Sequence, residues 1–244
     1  MLVFSVCDDN PQFAKLLSDR IFKYCAYNLP DRAEPKLTPV FTAARSVLEY
    51  AEHSAIDVLF LDIDMPDVNG FELAARMQKD HPDTVIIFVS AYEDYVYSSF
   101  EYSPFRFLRK SHLDEELPTT LKKVVDKCLS DKESLDFHTT EGDEAVRVKD
   151  ILYIEGQRNY YIVRTLHQRE LKCRGTMESV EQAVSGFDFY RIHTAYIVNL
   201  DLIERVNSDG TVKMKDGGVI TVSRRRLADF KKEYFNFIRR RITK

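Results

Sequence analysis

Three acidic side chains of this sequence follow apolar runs, and together they could bind a cation. Asp62 comes directly after the run VLFL at residues 58–61, which is typical of a strand buried on both faces of a parallel sheet. Asp8 and Asp9 follow a second run, LVFSV at residues 2–6. At a shared sheet edge these carboxylates would raise each other's pKa unless a cation joined them, and three hard oxygen donors favour Mg²⁺. A lone Asp after a strand, in contrast, usually only caps the following loop.

The elements around these acids predict an α/β sheet. Apolar runs predict strands, and apolar residues at helical spacing predict helices, in regular alternation. The predicted strands are residues 2–6, 36–41, 58–61, 84–89 and 105–109, and the predicted helices are residues 11–27, 43–53, 69–79 and 113–129. Pro39 places the second strand at an edge, and the poor helical spacing of residues 93–102 predicts a short or mobile helix. Strands that alternate with helices form a parallel sheet with right-handed crossovers.

The first half of the chain resembles the receiver domain of two-component response regulators. The resemblance rests on positions at successive strand ends: Asp8, Asp9, Asp62 in DIDMP, Ser90 after VIIFV, and Lys110 after FRFLR. It implies a flavodoxin-like fold, in which a five-stranded parallel sheet is doubly wound by helices. It also implies that the domain accepts a phosphoryl group from a sensor histidine kinase.

The same resemblance assigns a role to each matching residue. The residues that would act on the phosphoryl group are the phosphoacceptor Asp62, the oxygen-binding Ser90 and Lys110, and the switching aromatic Phe107. The Mg²⁺ ligands would be Asp8, Asp9, Asp62 and the backbone carbonyl of Asp64, with Asp8 acting largely through water. The resemblance therefore implies Mg²⁺ as the cofactor of the acidic site.

One residue departs from the receiver pattern. Receivers usually place a proline after the lysine, joined to it through a cis peptide bond, whereas this chain has Ser111 after Lys110. A cis bond before a residue other than proline costs roughly 3 kcal/mol. Either the fold holds such a bond here, or the loop has a different geometry.

The second half of the chain differs from the first in charge and in pattern. Residues 1–130 hold 14 Lys and Arg against 21 Asp and Glu, a net charge of −7, and the remaining residues hold 21 against 18, a net charge of +3. This asymmetry suggests nucleic acid as a partner of the second half only. We predict a receiver at residues 1–129, a polar linker at residues 130–134 and a β-rich domain at residues 135–244.

That second domain resembles the LytTR DNA-binding domain. The matching stretches are ILYIEGQRNYYIV, RGTMESVEQAV, FYRIHTAYIVNLDLIE and VITVSRRRL. The resemblance implies a mainly-β fold whose loops enter the major groove of double-stranded DNA at direct repeats. The residues that it places in those loops are Arg158, Asn159, His193, Thr194, Arg224 and Arg225. Arginine can read guanine and asparagine can read adenine, which suits this role.

Some residues of this domain could also have simpler roles. His193 beside an apolar strand is more often a structural histidine, and Asn199 in YIVNLD is more often a turn former. The run Arg224–Arg226 could be the solvated start of a helix that extends from Ser223 to Ile238. Three cations at a helix amino terminus oppose the helix dipole, however, and a bound phosphate would relieve that conflict.

Composition and residue spacing exclude several classes of protein. The fractions of hydrophobic (44%) and charged (30%) residues are those of an ordinary soluble protein. Apolar runs stay far below the roughly 20 residues that span a bilayer, so we expect no membrane partner. The four cysteines lack CxxC spacing and the six histidines lack ligand spacing, which disfavours a disulfide framework and a structural transition metal. We expect a protein of the reducing cytoplasm.

Together these features predict a transcriptional regulator switched by phosphorylation, and not a conventional enzyme. We expect a histidine kinase to phosphorylate Asp62, after which the receiver forms a homodimer whose paired output domains bind adjacent direct repeats. One alternative takes DIDMP as the nucleophile motif of haloacid-dehalogenase-like phosphohydrolases, although that motif usually ends the first strand and here ends the third. Another alternative keeps the receiver and makes the basic half a protein-interaction module.

Overall fold

The computed structural model describes residues 1–30, 34–66, 68–92 and 94–242, with the backbone alone at Ile242. Asp67, which the sequence places in the loop after the third strand, and Glu93, which it places at the start of a short helix, lie outside these ranges. The chain divides into two compact units, Met1–Ser130 and Asp131–Lys244. No helix within the described ranges is both long and apolar enough to cross a membrane.

The amino-terminal unit is built from parallel strands that alternate with helices. Its strands are β1 (Leu2–Cys7), β2 (Pro35–Leu37), β3 (Val58–Leu61), β4 (Val85–Ser90) and β5 (Arg106–Arg109). The helices are α1 (Pro11–Asn28), α2 (Ala44–Ala51), α3 (Gly70–Asp80), α4 (Tyr95–Ser99) and α5 (Leu113–Lys132). The strands form a five-stranded parallel sheet in the order β2-β1-β3-β4-β5, with β2 at the edge as Pro39 predicts. The predicted flavodoxin-like sheet is confirmed.

The central strand β3 is buried on both faces because it is apolar at every position. Val58 and Phe60 pack into a cluster with residues of α1 and α5, whereas Leu59 and Leu61 pack into a second cluster with residues of α2 and α3. All four side chains are inaccessible to solvent. Asp62, the first polar residue after this run, therefore emerges at the carboxyl edge of a sheet that is wound on both sides.

The polar linker that the sequence predicts at residues 130–134 is partly helical. Helix α5 continues to Lys132, and the next strand begins at Ser134, so that Glu133 alone lies between helix and strand. The last buried apolar residue of α5 is Cys128. Beyond it, a polar composition suits an exposed helix end as well as it suits a linker, and pattern alone does not distinguish the two.

The carboxyl-terminal unit is mainly β, as predicted. Its strands are β6 (Ser134–His138), β7 (Asp143–Arg147), β8 (Ile151–Gln157), β9 (Tyr160–Thr165), β10 (Glu170–Arg174), β11 (Phe189–His193), β12 (Tyr196–Asn199), β13 (Ile203–Val206), β14 (Thr211–Met214) and β15 (Val219–Thr221). The helices are α6 (Met177–Ala183) and α7 (Leu227–Ile242). The larger sheet is antiparallel, in the order β10-β9-β8-β12-β11, while β13-β14-β15 form a smaller sheet and β6 pairs with β7.

Two elements of this unit differ from the prediction. The sequence pattern does not predict β11, which lies at the edge of its sheet, pairs with β12 and lacks a clean apolar alternation. Helix α7 begins at Leu227 rather than at Ser223, and Arg224–Arg226 form the turn that precedes it. The buried side chains of Phe230 and Phe237 then fix α7 against its unit.

Asn199 is more than the turn former that the sequence predicts. Its side chain is buried, and its Nδ2 donates hydrogen bonds to the carbonyls of Val148 (3.2 Å) and Ile151 (2.9 Å). Its Oδ1 accepts a hydrogen bond from the Asp201 amide at 3.1 Å. Asn199 thus starts a turn and at the same time ties the end of β12 to the start of β8, a contact that local sequence cannot reveal.

Candidate functional site

A buried ion pair lies at the carboxyl edge of the parallel sheet. Asp62 follows β3 and Asp8 follows β1, and the two residues are only 4% and 1% exposed. The Nζ of Lys110, at the end of β5, lies 2.7 Å from Asp62 Oδ2 and 2.6 Å from Asp8 Oδ2. The structure therefore brings together three residues that are distant in sequence and places one lysine between two buried carboxylates.

Asp9 completes an acidic cluster that could hold a metal ion. One carboxylate oxygen each from Asp8, Asp9 and Asp62 lie within 4.8 Å of one another. Asp9 is exposed, whereas the other two are buried, so the cluster opens to solvent on the Asp9 side. Hard carboxylate oxygens with room for water are the donors that Mg²⁺ prefers. The donor set therefore fits the expected cation.

Burial and charge shift the pKa values of these groups. Burial raises the pKa of Asp62 above its usual range; Lys110 offsets this only in part, and the charge of Asp8 adds to the rise. Burial alone would lower the pKa of Lys110, but its hydrogen bonds to Asp62 and Asp8 outweigh burial and raise it. Burial and then the neighbouring carboxylates raise the pKa of the Cys7 thiol to about 12. The two carboxylates thus stabilise the charge of Lys110, whereas burial disfavours the charge of Asp62.

Backbone hydrogen bonds fix both buried carboxylates. The Asp62 amide donates to the Cys7 carbonyl at 2.9 Å, and Asp62 Oδ1 accepts from the Ile63 amide at 2.8 Å. Asp8 Oδ1 accepts from the Asn10 amide at 3.0 Å. The Asn10 side chain in turn caps the first turn of α1. The position of each acid is therefore set by the strand before it and the turn after it.

Gly70, a residue of this site to which the sequence pattern assigns no role, begins α3. A Cβ on Gly70 would lie 2.1 Å from the carbonyl oxygen of Asp62 and 2.7 Å from the Cα of Ile63. The Gly70 amide also donates to the Ile63 carbonyl at 2.9 Å. The first turn of α3 can approach the Asp62 backbone this closely only because residue 70 has no side chain.

The Lys110–Ser111 bond is trans, since the described part of the chain contains no cis peptide bond. Lys110 nevertheless reaches both acids, and its Nζ lies 4.5 Å above the centroid of the Phe13 ring. The departure at Ser111 therefore leaves the lysine in its expected place.

Ser90, Phe107 and Asp64, the other expected site residues of this unit, do not take part in the ion pair. Ser90 is buried at the end of β4, and its Oγ accepts a hydrogen bond from the Tyr92 amide at 3.1 Å rather than contacting Asp62. Phe107 is half-buried on β5 and lines an open depression of about 540 Å³. Asp64 lies in the loop after β3 with its side chain exposed. Of the expected phosphoryl-handling residues, the structure thus joins Asp62 and Lys110 directly.

The aromatic residues between β4 and β5 fall into two groups. Tyr95 and Tyr102 pack against Phe71 of α3, with ring centroids 6.0 Å and 4.8 Å away. Tyr97 and Phe100, in contrast, are 83% and 69% exposed. The expected short helix is present as α4, and its aromatic residues serve partly as core and partly as an open surface.

In the second unit, two turns with expected DNA-reading residues lie at the same edge of the larger sheet. Arg158 and Asn159 form the exposed turn between β8 and β9, where Arg158 has a φ of 51°. Thr194 is exposed in the turn between β11 and β12. The Gly156 amide donates to the Ala195 carbonyl at 2.8 Å. The two turns are therefore neighbours, as the pairing of β8 with β12 requires.

His193 and Arg224 line a common groove of about 470 Å³. The turn before α7 reaches β11 through the Ser223 amide, which donates to the Ile192 carbonyl at 3.0 Å. His193 Nδ1 accepts a hydrogen bond from the Ala195 amide at 3.2 Å. In the neutral imidazole this leaves the proton on Nε2, which can donate to a ligand. His193 thus has a structural partner on one nitrogen and a free donor on the other.

The three arginines before α7 have different surroundings. Arg224 and Arg225 are exposed, whereas Arg226 is half-buried and its Nη1 donates to the Arg191 carbonyl at 3.1 Å. Arg226 therefore has a bond within the protein, and the other two side chains remain available for a ligand.

Comparisons with known proteins agree with this division into two units. A family model described as "Response regulator receiver domain" matches residues 4–122, and one described as "LytTr DNA-binding domain" matches residues 143–234. The sensory transduction protein LytT of Bacillus subtilis is 30% identical over 190 residues, which cover 72% of this chain and 78% of LytT. The transcriptional regulatory protein BtsR of Escherichia coli is 26% identical over 190 residues, with the same two coverages. A solved structure of the response regulator TrrA from Thermotoga maritima contains Mg²⁺-BeF and is 25% identical in sequence to this chain. The match covers 51% of this chain and 99% of that chain, with a TM-score of 0.43.

We predict that Gly70→Ala destabilises the amino-terminal unit by about 1–3 kcal/mol, because its Cβ forces the Asp62 backbone and the start of α3 apart. Gly186→Ala is the matched control, since a Cβ at that position meets nothing within 4 Å. Urea unfolding of the two variants and the wild type measures the difference. Equal stability of the two variants would contradict the close approach of Gly70.

The raised pKa of Asp62 predicts that its charge destabilises the fold when EDTA removes divalent cations. Because the folded pKa lies above the unfolded one, the folded state binds more protons between the two values, and stability falls as the pH rises through that window. Asp62→Asn does not titrate, so it should match the wild type below the window and exceed its stability at neutral pH. Urea unfolding at several pH values tests this, with the exposed Asp64→Asn as control. A stability difference that does not change with pH would contradict the burial argument.

Proposed function

Because the chain belongs to the response regulators that combine a receiver domain with a LytTR DNA-binding domain, we propose that phosphorylation of Asp62 controls its binding to DNA. The phosphoryl donor is a sensor histidine kinase. The receiver occupies residues 1–129 and the DNA-binding domain occupies residues 135–244. The observation that supports this proposal best is the buried contact of Asp62 with Lys110 at the edge of the parallel sheet.

The arrangement around Asp62 suits nucleophilic attack on phosphorus. One carboxylate oxygen forms an O–P bond while the N–P bond of phosphohistidine breaks, and the electron pair returns to the imidazole of the kinase. Lys110 lies beside Asp62 Oδ2, where it can neutralise charge on the transferred group. Ile63 holds Oδ1 through its amide, which fixes the direction of the carboxylate. The chain thus positions the Asp62 carboxylate and neutralises charge on the transferred group, whereas the phosphohistidine supplies the reactive bond.

Asp8, Asp9, Asp62 and the backbone carbonyl of Asp64 are the residues that we assign to Mg²⁺. The close approach of the three carboxylates supports this assignment. Bound Mg²⁺ supplies positive charge to the phosphoryl oxygens. Asp9, as the exposed member, leaves the cation accessible from solvent.

We assign the response to phosphorylation to Ser90 and Phe107. The Ser90 hydroxyl accepts from the Tyr92 amide, so its own proton is free to be donated to a phosphoryl oxygen. Phe107 is half-buried beside an open depression, which leaves room for its ring to move. Homodimerisation of the phosphorylated receiver would bring two DNA-binding domains to adjacent direct repeats. Linking the two domains would raise their affinity for the paired repeats, because binding of the first raises the effective concentration of the second.

The DNA-binding surface that we propose combines the three loops of the second unit. Its base-reading and backbone-binding residues are Arg158, Asn159, His193, Thr194, Arg224 and Arg225. The shared sheet edge and the groove between His193 and Arg224 support this set. Exposed guanidinium groups can contact either guanine or phosphate.

The phosphohydrolase alternative is not favoured. The DIDMP motif follows β3, the third strand of the unit, whereas the alternative needs it after the first strand. The family to which the chain belongs acts in transcription and is not typically enzymatic. The protein-interaction alternative for the second half loses its basis for the same reason, because residues 143–234 match a DNA-binding family.

We predict that Asp62→Asn abolishes labelling of the protein by radioactive acetyl phosphate in the presence of Mg²⁺, since an amide cannot form an acyl phosphate. Asp64→Asn is the matched control. It retains its backbone carbonyl and should label as the wild type does. The measurement is hydroxylamine-sensitive label on the intact protein. Label that persists on Asp62→Asn would place the phosphoacceptor elsewhere.

Alanine substitutions should separate base readers from phosphate contacts. Arg158→Ala or Arg224→Ala should cost roughly 1–3 kcal/mol on the preferred duplex and reduce discrimination at one base position. Lys231 is exposed. If it contacts phosphate alone, its replacement by alanine should weaken binding to all duplexes alike and lower the salt slope by about 0.9. Fluorescence anisotropy titrations at several salt concentrations provide both quantities. Uniform weakening by every variant would remove the base-reading role from the two arginines.

A further inference from the structure

Arg191 is a cation of the DNA-binding unit whose charge faces inward. It lies on β11, and its side chain is 11% exposed. Its Nη1 donates to Glu181 Oε2 at 2.8 Å and to Glu178 Oε1 at 3.1 Å, and both acids belong to α6. Its Nη2 donates to the backbone carbonyl of Thr194 at 2.7 Å. The guanidinium thus joins a helix to the turn between β11 and β12.

The backbone around Arg191 also reaches the turn before α7. The Arg191 carbonyl accepts a hydrogen bond from Arg226 Nη1 at 3.1 Å, and the carbonyl of Ile192 accepts one from the Ser223 amide at 3.0 Å. The pairing of β11 with β12 shifts register between Arg191 and His193. A register shift of this kind redirects side chains at the end of a strand. Both candidate DNA loops on this side of the unit therefore depend on the same short segment.

We infer that Arg191 is a positioning residue for DNA recognition: it holds the His193–Thr194 turn in its reading position by bridging the Thr194 carbonyl to Glu178 and Glu181. The inference rests on the proposed DNA-reading role of that turn. A guanidinium can do this because its donors lie in a fixed plane and bind several acceptors at once. Lysine lacks that planar geometry. Both Nη atoms are bonded inside the protein and Nε is buried, so Arg191 itself does not contact DNA.

A purely electrostatic role or a direct phosphate contact for Arg191 would give different results from positioning. If Arg191 contributed only positive charge, removing the acids of α6 would strengthen binding to every DNA sequence, because two negative charges leave the neighbourhood of the phosphates. If Arg191 contacted phosphate directly, its loss would weaken all sequences alike and lower the salt slope. Positioning instead predicts a loss of discrimination, because a loosened turn reads bases poorly while the phosphate contacts remain.

The decisive variant is the double substitution Glu178→Ala and Glu181→Ala. The side chains of both acids are solvent-accessible (73% and 43%), so the fold should tolerate the change, while Arg191 loses its anchor on α6. The companion variants are Arg191→Met, which removes the bridge, and Arg191→Lys, which keeps the charge without the planar fork. Lys213→Met is the charge-matched control, since it removes a cation that pairs with Glu204 on the smaller sheet.

The experiment uses the full chain and a duplex recovered by the wild type from a random-sequence pool, beside a scrambled duplex of the same composition. Titrations at several salt concentrations give the ratio of the two affinities and the salt slope. We expect the ratio to fall about 10-fold in the double acid variant and in Arg191→Met, a loss of ~1.4 kcal/mol of discrimination, with an unchanged salt slope. Arg191→Lys should also lose discrimination, and Lys213→Met should keep the wild-type ratio.

Uniformly tighter binding by the double acid variant, or an unchanged ratio in that variant and in Arg191→Met, would overturn the positioning role while DNA recognition stands. A lower salt slope in Arg191→Met would overturn it in favour of direct phosphate contact. A wild type that recovers no preferred duplex from the pool would instead overturn the DNA-reading function on which the inference rests. Circular dichroism of each variant shows that the loss is not one of folding.

Discussion

The candidate site of the receiver depends on the pairing of one lysine with two buried carboxylates. Asp62 and Asp8 are removed from water, and burial disfavours the charge of Asp62, although the proposed attack on phosphorus needs that charge. Lys110 offsets part of that cost, and in the proposed function its charge lies beside the incoming phosphoryl group. The apolar strand β3 and the missing side chain of Gly70 both serve to present Asp62 at this point. The remaining negative charge is what a divalent cation would balance.

In the DNA-binding unit, the residues that we propose to read bases lie on exposed turns between strands. Antiparallel pairing of β8 with β12 places two of these turns side by side. The bridge from Arg191 to the Thr194 carbonyl then fixes one of them against α6. In the proposed function, a charged side chain therefore contributes to recognition from inside the fold, whereas Arg158 and Arg224 contribute from its surface.

Much of this could be predicted from the sequence, because strand ends and loop residues follow local rules. The apolar run before Asp62 specifies a strand buried on both faces, and its position at the sheet edge follows. Contacts between distant residues could not be predicted in the same way. Asn199 bonds to Ile151, 48 residues away in the chain, and even Glu181 and Asp62, the partners of Arg191 and Gly70 at 10 and 8 residues away, lie beyond the reach of strand and helix patterns. Polar composition at residues 130–134 also does not show where α5 ends, because exposed helix ends and linkers share it.

The most direct test of the account is the binding of Mg²⁺ itself, measured by isothermal titration calorimetry at neutral pH on the wild type, Asp9→Asn and Asp64→Asn. The charge imbalance around Lys110 predicts that the wild type and Asp64→Asn bind Mg²⁺ alike, since Asp64 would contribute its backbone carbonyl. It also predicts that Asp9→Asn, which removes the exposed carboxylate, loses most of the affinity. Equal binding by the wild type and Asp9→Asn, or no binding by the wild type, would contradict the proposed acidic pocket.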